Sequence, residues 1–155
     1  MKPTLLLRIA SIFVLLHFLG HTLGGMMSAP SHGPEEMAVI DSMKSHIFNF
    51  MGSQRSYWDF HQGFGFSVSV NLLTQAVLFW LLAGLAKIEP VRIRPILALF
   101  FFAWIATAVL SWRYFFIAPL ILELVIAACI GLAWIACGKQ VTSPAVLGNT
   151  AAPKA

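Results

Sequence analysis

Four stretches of this chain, about 4–24, 64–86, 95–112 and 115–137, are apolar almost throughout. Each is near the length of about 20 residues with which an α-helix crosses roughly 30 Å of hydrocarbon. Inside a bilayer every backbone N–H and C=O must be satisfied within the structure, so runs of this length fold as helices. With 59% hydrophobic and 10% charged residues and a mean hydropathy of +0.82, there is too little polar surface to coat a soluble domain. The expected fold is all-α: one four-transmembrane-helix bundle over 1–138, then a disordered cytoplasmic tail over 139–155 rich in Ala, Pro, Ser, Thr and Gly.

A signal peptide is the alternative for the first stretch, because Lys2 and Arg8 stand beside an apolar core over 9–20. No small-x-small cleavage pattern follows cleanly, since Met27 holds the third position back from the cut suggested after Ala29. The stretch is therefore expected to remain as a helix. Lys2, Arg8, Lys87, Arg92, Arg94, Lys139 and Lys154 then fall on one side of the membrane, against Lys44, Arg55 and Arg113 on the other. The positive-inside rule places both termini in the cytoplasm and 25–63 outside, in a multi-pass membrane protein. A sequence pI near 9.4 calls for no nucleic acid, because these charges flank membrane segments. Cys129 and Cys137 are eight residues apart on one helix, about 12 Å of rise, so neither an internal disulfide nor a zinc pattern is expected.

The outer loop opens on a turn-rich run from Gly24 to Pro34. Pro34 suits a first helical turn, Glu35 and Glu36 complement its positive end, and Lys44 and His46 come late. Ile40, Met43, Ile47 and Phe50 make one apolar stripe, which predicts an additional amphipathic helix over about 34–50, lying on the outer surface or capping the bundle. The segment 51–65 that follows is the most polar and aromatic of the chain. Tyr57 and Trp58 fit a membrane-interface belt, and Arg55 with Asp59 fits a local ion pair.

Glu123 carries the functional expectation, because a carboxylate centred in a membrane helix costs at least about 2.5–3.5 kcal/mol and is expected to face an interior and find a partner. His17 and His21 share a face of the first helix, and Gly63, Ser67, Asn71 and Gln75 form an i, i+4 stripe on the second that is expected to face inward. Counted from their outer helix ends, His17, Asn71, Gln75 and Glu123 fall about 10–16 Å deep. This predicts an outward-facing polar pocket lined by His17, His21, Asn71, Gln75 and Glu123, with Asp59 and His61 at its mouth and Arg113 or Tyr114 nearby. Histidines on an inward face also serve simply to bond a neighbouring helix, and Ser67, Thr107 and Ser111 are expected to bond helix carbonyls or a neighbouring helix.

The reading expected from these residues is binding of a small apolar ligand or a divalent metal, with His17, His21, His61 and Glu123 as the metal candidates. The pair His17-x3-His21 lacks the glutamate of HExxH, and no second mid-depth histidine exists for haem ligation. Alternatives are a proton-linked transporter component, a non-catalytic subunit or assembly factor of a membrane complex, and a membrane enzyme, for which no GxSxG or Ser-x-x-Lys motif is present. Partners would be the lipid bilayer and a membrane protein or a second copy of the chain. The four-span layout, His17-Phe18-Leu19-Gly20-His21-Thr22-Leu23-Gly24, and the run from Ser56 to Gly65 resemble bacterial four-helix membrane proteins, loosely of the DoxX-like group. The resemblance covers the membrane part in layout only, and implies a location in a bacterial inner (plasma) membrane. The long outer loop departs from the compact members, and no activity transfers residue by residue.

Overall fold

The computed structural model describes residues 2–29 and 32–139. In chain order these form α1 (Pro3–Leu19), a π-helical continuation (Gly20–Met26), α2 (Pro34–Ser45), β1 (Ile47–Phe50), β2 (Ser53–Ser56), α3 (Tyr57–Leu85), α4 (Arg94–Tyr114) and α5 (Ile117–Lys139). Pro3–Met26, α3, α4 and α5 are each long and apolar enough to cross a membrane. The described residues are thus all-α apart from one short hairpin, and their four apolar helices mark a multi-pass membrane protein. Lys139 closes α5, and the rest of the tail expected to be disordered, 140–155, lies outside the described residues. The fold divides into two compact units, one from 1–11 with 78–155 and the other from 12–77.

In the unit of 1–11 and 78–155, α4 and α5 are joined by Phe115 and Phe116 alone. Phe115 is extended and its N–H caps the Ser111 carbonyl at 2.9 Å, which ends α4. Pro119 sits in the first turn of α5, where a missing N–H costs nothing. The two helices run antiparallel, with Ser111 against Glu123, Phe101 against Gly131 and Arg94 against Gly138. Lipid is as apolar as leucine, so close packing rather than the hydrophobic effect holds such helices together, and small residues permit it. Ala108 on α4 and Ala127, Gly131 and Ala133 on α5 are small and buried. Gly131 is required there, because a Cβ would stand 2.9 Å from Phe101 Cδ2 and Cε2. Phe79 and Phe100 add an edge-to-face pair at 5.1 Å, and the Arg8 guanidinium lies 5.0 Å from the Trp80 ring centre.

In the unit of 12–77, the helix begun by α1 widens at a glycine-rich stretch, Gly20 to Gly25, and its last bond runs five residues back, from Met27 N–H to the Thr22 carbonyl at 2.9 Å. Helix α2 starts at Pro34 as expected and stops at Ser45 rather than near Phe50, because His46 turns extended. Residues 47–50 of the expected helix are instead a strand, paired Ile47↔Ser56 through Phe50↔Ser53. Met51 and Gly52, at φ 52° and 88°, make the tight turn, and Asn49 Oδ1 accepts the Gly52 N–H at 2.8 Å. Two positive-φ residues in succession match the twist of a two-residue hairpin. The rings of Phe48, Phe50, Tyr57 and Phe60 then pack edge to face over the hairpin and the start of α3.

Helix α3 begins at Tyr57, seven residues before the expected limit of its span. Ser56 and Asp59 cause this: Asp59 N–H donates to Ser56 Oγ at 3.1 Å while Ser56 N–H donates to Asp59 Oδ2 at 2.8 Å. This is a reciprocal capping box with aspartate in the acidic position. At 29 residues, or about 44 Å, α3 is longer than the roughly 30 Å of hydrocarbon.

Candidate functional site

Glu123 is 2% exposed. Ser111 Oγ donates to its Oε1 at 2.9 Å, whereas Oε2, equally enclosed, has no hydrogen-bond partner among the described residues. The pairing follows from the two-residue turn, which sets the last turn of α4 beside the first turns of α5. A carboxyl has about four acceptor positions, so one hydroxyl leaves most of its capacity unused. Chemically the group can accept a further donor or exchange a proton at Oε2. Ser111, expected to bond its own helix carbonyls or a neighbouring helix, bonds the next helix, at the carboxyl of Glu123. The signal was available, since a residue shortly before a tight helical turn comes level with one shortly after it.

A second polar centre lies within 12–77. His21 Nε2 bonds the Gly65 carbonyl at 2.9 Å. A carbonyl only accepts, so Nε2 carries the proton and donates. Thr22 Oγ1 donates to Ser69 Oγ at 2.8 Å, and Ser69 reaches back to Gly65 at 3.4 Å. The Met26 side chain occupies the space where a residue other than glycine at 65 would place its Cβ. His17, one turn before His21, is half-buried. Thr22, Gly65 and Ser69 were not singled out from sequence as a group.

The inward face of α3 differs from the expected one. Gly63, Ser67 and Asn71 are exposed and Gln75 is half-buried, while Ser69, Leu72, Ala76, Phe79 and Ala83 are buried. With Gly65 these follow alternating spacings of four and three, the period that keeps a stripe on one side of a helix. A strict spacing of four drifts by about 40° per step. The polar stripe tolerates exposure because each member is satisfied within its own helix. Ser67 donates to the Gly63 carbonyl at 2.8 Å, Thr74 to the Val70 carbonyl at 2.8 Å, and Gln75 Nε2 to Asn71 Oδ1 at 2.5 Å.

Asp59 is exposed and occupied with the α3 cap. Arg55 donates to the Gln54 carbonyl at 2.7 Å, and its charge also acts on the Asp59 carboxylate. His61 lies against Trp58 at 5.3 Å between ring centres, and Lys44 Nζ sits 4.8 Å from the Trp58 ring centre. An open cavity of about 330 Å³ is lined by Arg55, Asp59, Phe60, Gly63, Phe64 and Ser67. Of the residues expected at a pocket mouth, Asp59 lines it.

Among the described residues no three His, Cys, Asp or Glu side chains gather as a metal ion would require. Within 12–77, His21 has Nε2 taken by a carbonyl, and His17, His21 and His61 make no such group. Arg113 lies over the ring of its neighbour Tyr114, 5.6 Å from the ring centre, and both belong to α4. Comparison with protein-family models, with curated proteins and with solved structures gives no match.

Proposed function

We propose that this chain is a four-span helical bundle of the bacterial inner membrane, both termini cytoplasmic, that binds a small and largely apolar molecule through Glu123. Orientation rests on the basic residues flanking the spans on one side. In this reading α2 is an amphipathic element at the outer surface, with Ile40 and Met43 as its less exposed apolar positions. One observation carries the functional part: an enclosed carboxyl held by a single hydroxyl, with Oε2 unpartnered among the described residues. Glutamine would pack the same space at a smaller cost, so a carboxyl there is best explained by a second donor, supplied by a ligand.

Native mass spectrometry of the detergent-purified protein, wild type against Glu123→Gln, tests this. The variant has one acceptor oxygen in place of two, so it cannot serve Ser111 and a ligand donor in the same way. Wild type is expected to carry a stoichiometric small molecule that the variant loses. A wild type that carries none, with a variant of equal or greater stability, would overturn the reading and favour a non-catalytic subunit of a membrane complex.

A further inference from the structure

The start of α4 and the end of α5 form a strongly basic end of the unit made by 1–11 and 78–155. Its acids among the described residues are Glu89 and Glu123. Glu89 is taken by Arg92 at 2.9 Å. Glu123 stands sixteen residues before Lys139 on α5, about 24 Å away along the helix. No carboxylate remains for Arg94.

Arg94 is fixed in place. Its guanidinium packs on α5 at Gly138, where a Cβ would come within 3.1 Å of Cζ and Nη2. Its Nε is enclosed and without a hydrogen-bond partner among the described residues. Beside it opens a cavity of about 430 Å³ lined by Arg94, Trp134, Ile135, Gly138 and Lys139. Polarity is ordered along the helix: the cation of Lys139 ends α5, and Trp134 and Ile135 follow about 6–8 Å further in. An occupant that fits presents an anion at the helix ends and hydrocarbon beside the indole. A free inorganic anion uses only the first half of that surface.

We propose that this cavity binds an anionic phospholipid, Arg94 and Lys139 holding the phosphodiester and Trp134 and Ile135 flanking the start of an acyl chain. Guanidinium and ammonium donors make short charge-assisted bonds to phosphate, and basic pockets between membrane helices select anionic headgroups on this ground.

The test uses the delipidated full chain in neutral detergent, titrated with phosphatidylglycerol, phosphatidylcholine or inorganic phosphate and read by native mass spectrometry. Phosphatidylglycerol is expected to be retained over phosphatidylcholine. Arg94→Gln and Lys139→Gln are each expected to weaken its retention by about fivefold, while Lys44→Gln on α2 leaves it unchanged. Lys139 is exposed at a helix end, so its variant keeps the test decisive if Arg94→Gln fails to fold. Equal retention of the two lipids, or wild-type retention by Lys139→Gln, overturns the proposal. Displacement of phosphatidylglycerol by millimolar phosphate also overturns it, reassigning the cavity to a free anion.

Discussion

Ser111→Ala reaches the polar centre of α4 and α5 through a single atom. The Ser111 Oγ bond to Glu123 Oε1 is 2.9 Å long and buried, and Oε2 has no partner among the described residues. The variant therefore strands the whole carboxyl. Ordinary interhelical side-chain bonds in lipid average about 0.6 kcal/mol, with a maximum near 1.7, whereas leaving a buried acceptor unpaired costs about 1–3 kcal/mol. The second effect governs here, and a loss of about 2 kcal/mol is expected. Ser111→Ala combined with Glu123→Leu removes both polar partners and is expected to recover most of that loss, because an apolar side chain of similar volume at this buried position leaves no polar group stranded. Reversible unfolding in mixed micelles titrated with dodecyl sulfate, followed by helical circular dichroism, measures both, and Glu123→Leu alone completes the cycle. A loss below about 0.6 kcal/mol for Ser111→Ala, or a double variant showing plain additivity, would refute the assignment of Ser111 as the partner on which Glu123 depends.

Three further outcomes follow from the packing. Gly131→Ala places a methyl 2.9 Å from the Phe101 ring and is expected to cost about 1–3 kcal/mol in the same unfolding assay; Phe101→Leu in the same chain should restore part of it, and no loss would mean that the ring swings aside freely. Ser56→Ala removes the cap of α3 and is expected to cost about 1 kcal/mol, with amide exchange accelerated at Tyr57 to Phe60 and unchanged mid-helix. Asn71→Leu with Gln75→Leu replaces a pair bonded within its own helix, so stability should stay within about 0.5 kcal/mol; a large loss would show that the pair bonds something beyond its own helix.

The four long helices were legible because twenty apolar residues leave the backbone no alternative in lipid. Their limits were less so. The early start of α3 was written in Ser56-Tyr57-Trp58-Asp59, a cap pattern that a hydropathy reading passes over. Ile40, Met43, Ile47 and Phe50 share a helical period, yet the last two sit in a strand, since Met51-Gly52 permits a hairpin turn and four residues are too few for periodicity to decide. The stripe of Asn71 and Gln75 misled because polarity in an apolar segment suggests an interior, whereas here the hydrogen bonds close locally. Enclosure of Glu123 followed from its cost in hydrocarbon. That Ser111 bonds the next helix was among the expectations, but its choice of Glu123 was not singled out, because hydroxyls in membrane helices usually bond their own carbonyls, as Ser67, Thr74 and Thr107 do.

The short link between α4 and α5 bears on biogenesis. Ser111 and Glu123 are twelve residues apart, across a turn of Phe115 and Phe116, so closing the loop between them is entropically cheap and the contact ranks among the most local of the fold. A helical pair of this kind is suited to leave the translocation channel as one hairpin. Glu123 would then enter hydrocarbon with its hydroxyl partner already beside it, and its insertion would not wait for the remaining helices.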